Sequence, residues 1–393
     1  MLLANLSRQK RFRRKESIMR YLVFSLLLIL TMIPQTGSAE LTAEPVIRFI
    51  VPEANALATS IALHADTVLL GTVNAEAYVF QFDQGNWWMD RLAVPERQQG
   101  FFNEVALDKD LALIGATPHA YVFRFDGATW VHEATLSDDQ GDVDFGYSVD
   151  LDGDLAVVGT SSKNAQVFRF DGLGWIREAV LAPPPREDGK RPFGLAAYVV
   201  VDNERVLVTK DARIGDEFEG IYSFHFDGAA WRQEDIITLS DTETVFIGAI
   251  ALDGDVALVD ADYDDIVHVF RFDGGTWKRE AILEPPKLEK RNCSCLPVPG
   301  NQEVCDGGTP NFGVSVALDG DLALVGANLD DVSTTDSGAA YLYRYDGAQW
   351  NYELLLQGEP TSSCGANFGR LVSLDGGRAL VKQGHSAILF QIH

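Results

Sequence analysis

The chain has little of what catalysis usually draws on. Its 393 residues include only 4 cysteines and 7 histidines. His64, His119, His132, His225, His268, His385 and His393 are scattered, and no His-Glu-x-x-His pair occurs. There is no Gly-x-Ser-x-Gly elbow and no phosphate-cradling glycine loop. Spacing proposes no Ser/His/Asp arrangement either. Positive charge is scarce, with 32 Lys and Arg against 57 Asp and Glu and a net charge of −25. A surface that acidic repels nucleic acid and anionic lipid, so neither is an expected partner. After residue 39 no apolar run is long enough to span a bilayer.

The apolar run that does occur, residues 21–34, follows the basic stretch 10–15. Gly37-Ser38-Ala39 then places small residues before Glu40. This is the pattern of a secretory signal over residues 1–39, cleaved after Ala39, with Met19 as an alternative start. Retention of the run as an N-terminal anchor is the competing outcome. Cleavage removes seven basic residues and one acidic residue, taking the charge from −25 to −31 (−25 − 7 + 1). The expected address is secreted, at the cell surface or in the periplasm. Cys293, Cys295, Cys305 and Cys364 all lie in the exported part, where disulfides persist. Three pairings are open. Cys293 and Cys295 stand too close for an easy mutual bridge, which favours bonds from each to Cys305 or Cys364. A zinc site is disfavoured, since no C-x-x-C pair is present. Asn292-Cys293-Ser294 matches a glycosylation sequon, relevant only in a eukaryotic secretory pathway.

What the chain does contain is repetition. An aromatic-Asp pair followed by Trp, five residues after the aromatic, occurs six times: Phe82…Trp87, Phe125…Trp130, Phe170…Trp175, Phe226…Trp231, Phe272…Trp277 and Tyr345…Trp350. Residues 312–356 are the cleanest copy. An alternating strand ends at Asp319-Gly320-Asp321, where Gly320 suits the positive φ of a tight hairpin. An apolar strand runs back to Gly326-Ala327. A third strand places Tyr341, Tyr343 and Tyr345 on one face, and Asp346-Gly347 turns the chain into a fourth. Four antiparallel strands in a meander make one blade of a β-propeller.

Copies begin near residues 57, 101, 145, 193, 246, 312 and 368. The last has three strands, and the segment 45–51 is left without a partner. Pairing the two closes the ring and removes open sheet edges. The expected fold is therefore all-β: residues 40–393 as a single seven-bladed propeller of four-stranded antiparallel blades, closed by the N-terminal strand on the last blade. A monomer is expected. Residues 284–311, which hold three of the cysteines, form the longest linker between blades. Cys364 lies in the next linker, so a bridge between neighbouring linkers is expected.

The Phe-Gly that opens a repeat, the Gly-Ala that ends its second strand and the Ala-Tyr-Leu-Tyr of its third resemble FG-GAP repeats. Those repeats form the seven-bladed propeller of integrin α-subunits and occur in exported bacterial proteins, whose compact form this chain most resembles. The resemblance covers nearly all of residues 45–393 and implies extracellular recognition, including cell adhesion. It also implies calcium cages of the D-x-[DN]-x-D-G-x-x-D kind in the first hairpin. Here that hairpin is cut to Asp152-Gly153-Asp154, Asp253-Gly254-Asp255 and Asp319-Gly320-Asp321, which reads as turn chemistry, because calcium needs six to eight oxygens.

Four candidates remain. Asp260, Asp262, Asp264 and the adjoining Asp265 space carboxylates as a calcium loop begins, although without its bend glycine or closing acid. No other cofactor is expected. Asp330, Asp331 and Asp336 form a second acidic loop, and Asp138, Asp139, Asp142 and Asp144 a third. All three belong on one rim, the expected recognition face for a protein or glycan. The tryptophans could stack on sugars in pockets between blades, but their fixed place after a turn favours packing. Trp88 alone stands outside the repeat. The expected function is a non-catalytic binding module; a lectin, or an enzyme with its site at the central channel, is the alternative.

Overall fold

The computed structural model describes residues 41–52, 58–73, 76–95, 104–139, 141–160, 164–182, 195–210, 220–239, 247–261, 265–287, 310–332, 336–359 and 365–393. They form seven four-stranded sheets, each antiparallel and each a simple meander, except that the last is completed from the other end of the chain. There Ala43–Ile50 pairs with Ser386–Ile392, from Ala43 opposite Ile392 to Ile50 opposite Ser386. The expected closure of the ring by the N-terminal strand is thus present, beginning at Ala43 rather than residue 45. Residues 1–39, the expected signal segment, and all four cysteines lie outside the described residues.

The core lies between the blades. Seven clusters of buried side chains occur, one in each seam. Each second strand feeds two of them by alternation. Leu324 packs toward blade 7, whereas Ala323 and Val325 pack toward blade 5. This explains why second strands such as Leu322–Ala327 are apolar throughout.

The innermost strand of each blade is a sheet edge whose N–H groups need acceptors from outside the sheet. The preceding blade supplies them. The Asp that ends each first strand accepts a hydrogen bond from the next blade's hairpin: Asp108 from Gly153, Asp152 from Asn203, Asp202 from Gly254, Asp253 from Gly320, Asp319 from Gly376 and Asp375 from Ala65. Deeper along the strand, Ser60, Ser148, Ser315 and Ser373 accept from Val105, Val199, Val372 and Leu63. His64 holds the seventh terminal position, with Nδ1 3.5 Å from Asp108 and 3.7 Å from Asp375.

The Asp-Gly-Asp turns are therefore interblade staples, and Gly320 adopts the expected positive φ, +59°. Replacing Asp319 by Ala leaves the Gly376 N–H without its acceptor. The expected loss is about 1–2 kcal/mol in urea denaturation, with Asp319→Asn intermediate.

A second repeated device ties the blades farther out. Glu133, Glu178 and Glu280 on fourth strands are bonded by Arg124, Arg169 and Arg271 of their own blades. The same carboxylates accept from the indoles of Trp175, Trp231 and Trp350 on the next blade, at 2.7, 2.9 and 3.1 Å. Each guanidinium also covers a ring of that next blade: Phe170, Phe226 and Tyr345. Blade 4 carries His225 where blades 2, 3, 5 and 6 carry Arg, and Arg205 from its second strand takes over, bonded to Glu234 and 4.3 Å from the Phe272 ring centre. Trp88, which the repeat left without a structural role, is half-buried and packs 6.0 Å from Phe125 of blade 2.

Candidate binding face

The two ends of the ring are built on different rules. At one end, every first-to-second-strand turn has two residues, from 65–66 to 376–377, and the third-to-fourth turns have two or four. At the other end, second-to-third loops run from two residues (117–118) to eleven (328–338). The linkers that share this end run from seven residues (51–57) to twenty-eight (284–311). Nearly all the length variation therefore collects on one face, called here the loop face.

The blade 6 loop folds on itself. The Asp330 carboxylate accepts from the Tyr341 hydroxyl, and the Asp330 carbonyl accepts from Gly338 N at 2.9 Å and Ser337 Oγ at 3.2 Å. Asp331 Oδ1 accepts from Asp336 N at 2.8 Å. Burial pushes the Asp330 carboxyl up against the pull of the Tyr341 hydrogen bond, and Asp331 and Asp265 add repulsion. The three acids are half-buried and fix the loop as well as face solvent. Of the three, Asp330 feels the Asp265 charge of the blade 5 loop.

Asp260 is buried, and its carboxylate is wedged between two glycines. A Cβ on Gly248 would lie 2.0 Å from Oδ2, and one on Gly313 would lie 2.2 Å from Oδ1. Asp265 Oδ1 accepts from Phe312 N at 2.9 Å. Asp262 and Asp264 lie outside the described residues. The two described acids of that loop therefore work in the seam between blades 5 and 6. Among the described residues no group of three or more His, Cys, Asp or Glu converges as ion ligands.

The third acidic loop is tied down too: Arg177 bonds Asp139, and Gln166 bonds Asp138.

At the inner seam, sequence reasoning missed Glu104 and Asp150, which replace the serine and alanine of other blades. Glu104 accepts from Val149 N at 2.9 Å and Asp150 from Val201 N at 2.7 Å. Burial pushes both carboxyls up to about 7, against those hydrogen bonds, and the Glu104 charge adds to the rise at Asp150. Both are committed to backbone N–H groups of the next blade. Aligning the copies column by column reveals them, because acids stand where Ser or Ala is the rule.

A cleft of about 470 Å³ opens at the outer rim between blades 3 and 4, lined by Val180, Phe224, Phe226, Trp231, Gln233 and Glu178. Glu178 is already held there by Arg169 and Trp231.

Residues 307–343 match the FG-GAP repeat family model, across the first three strands of blade 6. The blade so matched stands in a ring of seven. The chain is a seven-bladed propeller that carries an FG-GAP repeat. The two dipeptides behind that description meet across a seam. Gly146 and Gly369, the second residues of their Phe-Gly pairs, have φ of +90° and +86°. A Cβ on Gly326 of one blade would lie 1.9 Å from the Gly369 carbonyl of the next, and one on Gly115 would lie 2.4 Å from that of Gly146. Asp260 occupies this column in blade 5, and Thr209 and Lys382 occupy it in blades 4 and 7.

The propeller is similar to the solved structure of U3-55K, with 10% identity over 88% of this chain and 98% of that one and a TM-score of 0.56. It is also similar to the computationally designed Ika8 protein, with 11% identity over 87% of this chain and 98% of that one and a TM-score of 0.50. At such identities the likeness shows the fold alone. No curated protein matches the chain. No helix among the described residues is long and apolar enough to cross a membrane.

Proposed function

We propose that this propeller is a non-catalytic binding module that recognises an extracellular protein or glycan through its loop face. One observation carries the reading: loops and linkers at that end run from two to twenty-eight residues, while the turns of the opposite face are all two or four residues long. Variable loops on a rigid scaffold are the usual seat of recognition. Export with cleavage after Ala39 belongs to the same reading, and N-terminal sequencing of the exported protein should begin at Glu40. A calcium role for the Asp260–Asp265 segment is tested by melting with calcium and with chelator, since an ion bound only by the folded state raises Tm.

The test is to probe the purified protein on extracellular-protein and glycan arrays. Two variants are compared: one with residues 328–338 shortened to a two-residue turn, and one with Asp346→Ala on the opposite face. Loss of the array signal in the first alone supports the proposal. Loss in the second alone overturns it. The cleft between blades 3 and 4 favours a second reading, a lectin with its sugar against Trp231; binding lost in Gln233→Ala and kept in the loop variant would select it.

A further inference from the structure

Lys382 departs from the glycine column more sharply than Thr209 or Asp260. It belongs to the second strand of blade 7, Arg378–Gln383, at its loop-face end. Gly71, Gly115, Gly159 and Gly326 hold the same place in other blades. Side chains two apart on a strand share a face. Leu380 lies in the core between blades 7 and 1, with Phe49, Ile61, Leu63 and Leu389. Lys382 therefore points into that same seam, toward the blade that opens at Ala58.

The ammonium is isolated there. Lys382 is 8% exposed and is the only buried lysine or arginine among the described residues. Its backbone is bonded, N to Leu371 O and O from Gly369 N. Among the described residues its side chain has no hydrogen-bond or ion-pair partner. On the closing strand and blades 1 and 7, Arg48 is paired with Glu359, Arg91 with Glu76 and Arg378 with Asp66. The charged group that acts on Lys382 is another cation, the exposed Arg370. Burial first, and Arg370 second, pulls the amine down to about 8.

A buried charge without a counter-ion is costly, and folded proteins rarely keep one without a use. This chain has 57 acidic residues from which to supply a partner, and none of the described ones reaches it. Gly369 and Leu371 both bond the Lys382 backbone, which sets the intervening Arg370 beside it. Two neighbouring cations at the mouth of a seam, in an otherwise acidic protein, make a receptor for an anion from outside.

We propose that Lys382 and Arg370 form a site for one oxyanion, a carboxylate, sulfate or phosphate, at the loop-face end of the seam between blades 7 and 1. Lys382 supplies the desolvated charge and Arg370 a planar donor pair from the rim. The oxyanion is either free or carried on the ligand, and only the second case rests on the loop-face reading.

The experiment is a thermal-shift titration of the purified protein with sodium acetate, sulfate and phosphate, each at ionic strength matched with sodium chloride. Wild type should show a saturable rise in Tm with at least one anion. Lys382→Met should abolish it, and Arg370→Gln should weaken it at least tenfold. Because the anion binds the protonated amine, the rise should be larger at pH 7 than at pH 9.5. An equal rise in Lys382→Met, or no saturable rise in wild type, overturns the proposal. Should Lys382→Met fail to fold, acetic anhydride labelling of wild type reads the same contact by mass spectrometry. Protection of Lys382 by the anion supports the site, and unchanged labelling overturns it. Array binding that survives Lys382→Met leaves the loop-face reading standing without an anionic ligand. Anion binding without array binding does the reverse.

Discussion

Gly369→Ala is expected to lose at least about 3 kcal/mol of stability. The new Cβ would lie 1.9 Å from the Ala339 carbonyl oxygen and 3.2 Å from the Ala327 N, at a φ of +86°. The obstacles are backbone atoms of the neighbouring blade, so no side chain can swing aside. Relief requires opening the seam between blades 6 and 7, where Gly326 makes the reciprocal contact at 1.9 Å. Gly347→Ala is the control, with a φ of +93° but nothing within 4 Å. It isolates the conformational penalty, about 1–2 kcal/mol. Urea denaturation of the two variants measures the difference. A loss in Gly369→Ala no larger than in Gly347→Ala would show that the glycine contact is not what sets the blade spacing.

The second large effect is on pH dependence. Glu104 and Asp150 are held near 7 in the fold, above their ordinary values, chiefly by burial. Between the two ranges the folded state binds more protons than the unfolded state, so stability falls as pH rises. The penalty is absent below about pH 4, grows as pH rises toward 7 and is constant above that. At pH 8 its upper limit is roughly 3–4 kcal/mol for each group, reduced by coupling between them and by residual solvent contact. Glu104→Gln with Asp150→Asn keeps acceptors for Val149 and Val201 while removing the charge. The double variant should be more stable than wild type at pH 8 and similar at pH 4.5, with a flatter profile between. Parallel melting curves of the two proteins across that range would remove the carboxyl pair as the cause.

Much of this was legible because the signals are local. The turn glycines, the alternation and the Phe-Asp…Trp spacing each reside within a few residues. The count of blades and the unpaired segment near residue 45 followed from adding them up. Reading the tryptophans as packing residues was right for a reason that lay elsewhere. Trp175, Trp231 and Trp350 are bonded to glutamates of the preceding blade, and Trp88 has its ring partner in the following one. The candidate acids were legible only as a face. Asp330, Asp331 and Asp336 share the loop face, but the bonds that half-bury them come from folding of the loop, not from its spacing.

The sequence by itself determined the strands, their order within a blade, the number of blades and the closure by the first strand, because each depends on neighbours along the chain. Only the tertiary structure decided which acids staple the ring, which are wedged into seams, and which cation stands alone. Those choices are made with a partner a whole blade away, as from Asp108 to Gly153, or across the closure, as from Ser373 to Leu63. A residue in the glycine column looks like a mere substitution until the next blade is set against it. There Asp260 fits between two glycines, and Lys382 has no counter-ion among the described residues.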